Sequence, residues 1–162
     1  MKILITGGAG YIGSATVHLL KSLNYEVVVL DDLSTGFKRL IPEGVKFYEM
    51  NLSQVSKIEH VLKAENITSV IHFAASVRVE ESVVNPIKYY NNNFVNALNL
   101  VQACAQAGVS HFIFSSTAAV YGNVSSDLVS ESAPLNPQSP YGASKAYAER
   151  MIEDLAAAQS HF

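Results

Sequence analysis

The stretch Ile3-Leu4-Ile5-Thr6-Gly7-Gly8-Ala9-Gly10-Tyr11-Ile12-Gly13 decides the fold. Its opening apolar run reads as a strand buried on both faces of a parallel sheet. The glycines fit both G-x-G-x-x-G (Gly8, Gly10, Gly13) and G-x-x-G-x-x-G (Gly7, Gly10, Gly13). Such a loop needs one glycine for the tight strand-to-helix turn. It needs another for close approach of backbone to a pyrophosphate, and a third for packing helix on strand. The helix that follows, carrying Val17, Leu19, Leu20 and Leu23, would offer free N–H groups and a partial positive charge to the phosphates. A second apolar run, Glu26-Val27-Val28-Val29-Leu30, ends in Asp31-Asp32. An acid there, about 20 residues after the loop, suits the adenosine ribose hydroxyls of NAD and would repel the 2′-phosphate of NADP. Lys38 and Arg39 lie close by and keep NADP open as a minor alternative. A glycine turn in an α/β fold with no nucleotide is the other reading of the loop.

The far end of the chain carries the chemistry. In Ser139-Pro140-Tyr141-Gly142-Ala143-Ser144-Lys145, a Tyr and a Lys four residues apart share one helix face. There the ammonium can lower the phenol's pKa from about 10 toward neutrality, so that the phenol can take a proton from a sugar hydroxyl. Tyr-x-x-x-Lys also occurs on ordinary solvated helices. Pro140 should open this helix, after a polar, Pro-containing stretch from Gly122 to Pro140 that reads as a long active-site loop. The strand before it ends in Ser115-Ser116-Thr117, hydroxyls on the ligand edge. Thr117 is placed to hold a substrate hydroxyl for Tyr141, or else caps a turn. His72 stands among apolar strand residues and reads as a satisfied core histidine. Of Asn91-Asn92-Asn93, at least one should tie down the active-site edge, since buried amides are costly without partners.

Between these ends, strands are expected at about 2–6, 26–30, 45–49, 69–73 and 110–115, and helices at about 11–23, 54–64, 86–107 and 140–159. The alternation predicts an α/β fold with a doubly wound parallel sheet in one domain, 1–162. With 49% apolar and 15% charged residues, the 162-residue chain can bury a real core. The net charge of −3, with no basic stripe, argues against nucleic acid. No apolar run approaches the roughly 20 residues of a membrane span, and a strand starting at residue 2 leaves no room for a signal peptide before it. Cys104, the only cysteine, reads as buried and inert, and the expected location is cytoplasmic. No metal is expected. The helices at 86–107 and 140–159 are apolar on more than one stripe, which either a homodimer interface or intrachain core explains.

In order along the chain, Gly7 to Gly13, Asp31 to Gly36, His72 to Ala75, Glu81-Ser82, Asn85 to Tyr90 with the Asn tract, Phe114 to Gly122 and Tyr141 to Lys145 resemble the extended short-chain dehydrogenase/reductase superfamily. More narrowly they resemble its UDP-glucose 4-epimerase family. The resemblance implies a Rossmann-like fold, tightly bound NAD, a UDP-sugar substrate and interconversion of UDP-glucose and UDP-galactose through a 4-keto sugar. It implies that Gly7, Gly10, Tyr11, Ile12 and Gly13 bind the pyrophosphate and that Asp31 binds the ribose. Phe73, Ala74, Ala75, Asn92 and Ser115 would line the cofactor, and Thr117, Tyr141 and Lys145 would form the catalytic trio, the last two also touching the cofactor. Asn51-Leu52 stands where the family has an Asp and an aliphatic residue holding the adenine, so Asn51 would make that contact as an amide. Val77 replaces a cofactor-binding Lys of some members. Related 4,6-dehydratases carry an Asp-Glu pair after the strand hydroxyl, where this chain has Ala118-Ala119, which leaves dehydration without its proton donor. Other nucleotide-sugar epimerases and decarboxylases share most of these segments. Members are about twice this length, so the resemblance also implies a fragment that lacks the C-terminal substrate domain, with NAD binding retained and turnover in question.

Overall fold

The computed structural model describes residues 1–124 and 128–158. Among them, β1 (Lys2–Thr6), β2 (Glu26–Asp31), β3 (Lys46–Glu49), β4 (Ser69–His72) and β5 (His111–Phe114) form one sheet in the order β3-β2-β1-β4-β5. Every neighbouring pair is parallel, with Ile5 opposite both Val29 and Ile71. The helices are α1 (Tyr11–Ser22), α2 (Val55–Ala64), α3 (Val79–Val84), α4 (Pro86–Tyr89), α5 (Asn96–Ala107) and α6 (Pro140–Ala158). None among the described residues is long and apolar enough to cross a membrane.

Alternation along each strand sorts the core into two layers. Leu4, Val28, Leu30 and Val70 face Ile58 and Leu62 of α2 and Leu100 and Cys104 of α5. Ile3, Ile5, Val27 and Val29 pack with Val17 of α1 on the opposite side. Helices therefore cover both faces, which is why the central strands are apolar throughout. The chain runs outward through β1, β2 and β3, then crosses back to lay β4 and β5 on the other side of β1. Strand order reverses between β1 and β4, and the crevice above their C-terminal ends is where such sheets bind ligands.

Element ends follow the local chemistry. Gly108, left-handed at φ +73°, stops α5. Ser139 accepts the Gly142 N–H at 3.1 Å and Pro140 takes the first helical position, so α6 starts where the sequence predicts. Its expected last residue, 159, lies outside the described residues, as do 125–127 of the loop from Gly122 to Pro140.

One expectation needs correction. Residues 86–107 are not a uniform helix: α4 and α5 are joined by a π-helical segment, Tyr90–Val95. The short helix α3, just before it, has no counterpart among the expected elements. The wider turn is built around the asparagine tract, in which Asn93 is buried and Asn92 half-buried, and a buried amide must find partners.

Candidate active site

The glycine loop leaves β1 into a tight space. Gly7 sits at φ +71°, and a Cβ there would come within 2.6 Å of the Ala74 backbone nitrogen at the tip of β4. A Cβ on Gly13 would lie 2.1 Å from the Gly7 carbonyl oxygen. Glycine at these two positions lets loop, helix and β4 meet. α1 then starts at Tyr11 with no side-chain cap and no acid in its first turn. Its first N–H groups and its positive dipole end are left for an anion. Tyr11 (90% exposed) and Ile12 (59%) stand open beside them. This cradle fits a dinucleotide's pyrophosphate.

Asp31 does more than the sequence suggested. Its buried carboxylate accepts the Ala9 N–H at 3.0 Å and the Leu33 N–H at 2.8 Å, fastening the glycine loop to the end of β2. Each oxygen keeps a lone pair for a ribose hydroxyl. Asn51 is half-buried after β3, while the Leu52 side chain lies in the core beneath. Lys38 rests over the Phe47 ring at 5.3 Å and Arg39 over Phe37 at 4.8 Å.

On the other side of the crevice, Phe73, Ala74 and Ala75 continue β4, half-buried. Ser76 follows and is held by two asparagines. Asn92 Nδ2 donates to Ser76 Oγ at 3.0 Å. Asn93, 1% exposed, accepts the Ser76 N–H at 2.8 Å and donates to the Ser76 carbonyl at 2.9 Å. Asn93 also donates to Ser144 Oγ at 3.2 Å, and Ser144 donates to the Tyr141 carbonyl at 2.7 Å. A continuous chain of bonds thus links the tip of β4 to the first turn of α6.

That turn carries Tyr141, half-buried, its ring meeting the buried Tyr89 edge-on at 6.3 Å and 83°. Tyr89 is fixed in turn: its hydroxyl donates to Glu81 at 2.9 Å and accepts the Arg78 N–H at 3.0 Å. Lys145, one turn on, is 3% exposed; its Nζ donates to the Ser115 carbonyl at 2.7 Å and lies 4.4 Å from the Phe114 ring centroid. Burial pushes its pKa down to about 8, leaving it cationic at neutral pH. Thr117 Oγ1 accepts the Ala119 N–H at 3.2 Å, capping the turn Ala118–Val120 while keeping its own O–H to donate. His72 is 1% exposed and hydrogen-bonded through Nδ1 to Thr6 Oγ1 at 2.6 Å. Burial, with help from the Lys145 charge, pushes it down to about 3, so it is a neutral core group.

The fold therefore gathers the strand-tip residues Phe73 to Ala75, Ser115 and Thr117 with Asn92, Tyr141 and Lys145, and sets the glycine loop against Ala74. The expectation that at least one residue of the asparagine tract ties down the active-site edge is met by Asn93, whereas Ser76, Tyr89 and Ser144 were not singled out from the sequence. The asparagine tract was the one signal that pointed toward them.

Residues 3–162 match the family described as the NAD dependent epimerase/dehydratase family. Curated relatives include the UDP-glucose 4-epimerase of Azospirillum brasilense, 45% identical over 97% of this chain and 45% of that protein. The UDP-glucose 4-epimerase of Streptomyces lividans is 44% identical over 97% of this chain and 48% of that protein. Among solved structures, the UDP-Glc/GlcNAc 4-epimerase of Campylobacter jejuni superposes with a TM-score of 0.96 at 46% identity, covering 99% of this chain and 50% of that one. The Thermus thermophilus UDP-glucose 4-epimerase in complex with NAD gives 0.94 at 39% identity, covering 98% and 51%. The chain spans about half the length of the curated relatives it matches.

Proposed function

From the premise that this chain belongs to the NAD dependent epimerase/dehydratase family, we propose that it is the cofactor-binding part of an epimerase that interconverts UDP-glucose and UDP-galactose. The cofactor is NAD, and the residues present fit it: an uncapped helix start behind a glycine cradle, and an acid at the tip of β2. The observation that carries the catalytic reading is the seating of Tyr141 and Lys145 on one face of α6, with Lys145 bonded to the strand tip that bears Thr117.

Held by the glycine cradle and Asp31, NAD would supply reversible hydride transfer at C4 of the sugar, through a 4-keto sugar that can take the hydride back on its opposite face. Tyr141 removes the 4-hydroxyl proton as that hydride leaves, and gives it back on return. The Lys145 charge stabilises the phenolate. Thr117 donates its O–H to the same sugar oxygen and holds it within reach, because proton and hydride transfer need reacting atoms about 3–3.5 Å apart. Asn93 and Ser144 keep the first turn of α6 in register with the strand tips. With Ala118 and Ala119 after Thr117, no acid is on hand for water elimination, which favours epimerisation over dehydration.

The same reading takes residues 1–162 as a single domain, places the protein in the cytoplasm and has it form a homodimer through residues 86–107 and 140–159. Supplying the protein with NAD and UDP-galactose should yield UDP-glucose. If UDP-glucose stays absent while calorimetry records NAD binding, the second reading holds, in which these residues bind NAD without turnover. Conversion of a UDP-uronate or an N-acetylated UDP-sugar, with UDP-galactose left untouched, would instead point to a sister epimerase or decarboxylase. Absence of NAD binding would end both readings.

A further inference from the structure

The two adjacent acids at the end of β2 serve different partners. Asp31 turns inward to the glycine loop, whereas Asp32 reaches across to the next strand tip. There Asn51 Nδ2 donates to Asp32 Oδ2 at 2.7 Å. The other Asp32 oxygen accepts the Ser34 N–H at 3.0 Å, and Asn51 Oδ1 accepts the Ser53 N–H at 2.9 Å. These bonds leave the Asn51 amide no freedom to flip. Its oxygen must face the Ser53 N–H and its nitrogen must face the carboxylate. One N–H and one carbonyl lone pair of Asn51 stay uncommitted among the described residues. A primary amide with one free donor and one free acceptor has the groups that recognise the amine and a ring nitrogen of adenine. The pair sits above β2 and β3, on the side of the glycine loop away from Tyr141. A dinucleotide whose pyrophosphate meets α1 would put its adenosine there.

We propose that Asp32 is a positioning residue for the adenine end of the cofactor: it orients the Asn51 amide so that one donor and one acceptor face the purine. This rests on the reading of the chain as an NAD binder. Asp32 is exposed and Asn51 half-exposed, so substitutions at either leave the core intact. Asp32→Asn meets Ser34 with its oxygen and turns an NH2 toward the Asn51 NH2. Asn51→Asp sets two carboxylates against each other. The double exchange, Asp32→Asn with Asn51→Asp, restores a donor facing an acceptor with the roles reversed.

Calorimetry on the protein with NAD, ADP-ribose and nicotinamide mononucleotide separates the possibilities. Each single variant should bind NAD and ADP-ribose about tenfold more weakly, with nicotinamide mononucleotide and the melting curve unchanged. The double exchange should recover a clear part of the loss, though not the donor that only an amide supplies. Wild-type affinity in Asp32→Asn, or a double variant as weak as the two losses added, would overturn the proposal while leaving NAD binding standing. Failure of the unsubstituted protein to bind NAD would instead remove the reading on which the proposal rests.

Discussion

Lys145 and His72 show how burial divides ionisable groups between chemistry and scaffold. Both are buried near the ends of β4 and β5, yet Lys145 keeps its proton at neutral pH while His72 cannot gain one. Tyr141→Phe removes the one proton acceptor in the proposed mechanism and leaves the ring against Tyr89. Turnover should fall about 10²–10⁴-fold with NAD affinity retained, as steady-state rates and calorimetry would report. His72 gives a stability prediction with a definite sign. Its folded pKa, about 3, lies below the unfolded value of about 6.5. Below pH 6.5 the unfolded chain therefore binds a proton that the folded chain refuses. Stability should fall as pH drops from about 6.5 toward 3, by up to about 1.4 kcal/mol per pH unit from this group. Glu65, held at about 2 by Lys46, Tyr48 and Lys2, adds its loss only below its own unfolded value of 4.5. Denaturant midpoints between pH 6.5 and 5, compared between the parent and His72→Gln, assign the slope to His72, and the same slope in both would contradict its burial as a neutral group.

Interactions between elements were legible only in part. The glycine loop, the acid after β2 and the Tyr–Lys spacing could be read because each encodes its role in local geometry, a turn or one helical pitch. Which asparagine of the tract faces inward could not be read, because the π-helical segment shifts the register by an amount that no 3.6-residue pattern contains. Asn93 bonds both backbone groups of Ser76, 17 positions earlier, and a link that distant leaves no local trace. Asn93→Ala removes three hydrogen bonds and strands the Ser76 N–H and carbonyl, at a cost of roughly 2–4 kcal/mol. Chemical denaturation would measure it, with NAD affinity falling as the β4 tip loosens from α6. A second tie of this kind lies toward the opposite ends of the strands. There Glu65, at the C-cap of α2, accepts from Lys2 of β1 at 2.9 Å, from Tyr48 of β3 at 2.6 Å and from Lys46. Glu65→Gln should lower stability by roughly 1–3 kcal/mol without touching NAD binding, since the cluster lies at the far end of the strands from the crevice.

At the scale of the whole molecule, the alternating strands and helices were legible because buried parallel strands are apolar runs and their connections carry helical periodicity. The use of each apolar stripe was not, because intrachain packing and a partner subunit select the same residue types. The structure divides the stripes. Ala97, Leu100, Val101 and Cys104 of α5 are buried within the chain, whereas Leu98 (36% exposed), Val95 (40%) and Tyr147 (56%) reach solvent. Tyr147 stacks on Tyr90 at 6.3 Å and meets Phe94 edge-on at 6.5 Å, so the π-helical segment and α6 already form one surface from which its ring still projects. A surface of aromatic and aliphatic residues on two packed helices is the kind that a second copy covers. In the proposed homodimer, sedimentation at tens of micromolar should give twice the chain mass of 17.5 kDa. Tyr147→Glu should give the monomer, because a carboxylate buried between two copies has no partner there. Tyr147 points away from the crevice lined by Tyr141 and Lys145, so the monomeric variant should bind NAD as the parent does. A parent that sediments as a monomer would assign the stripe to something other than self-association, and a variant that loses NAD along with the dimer would tie the crevice to the interface.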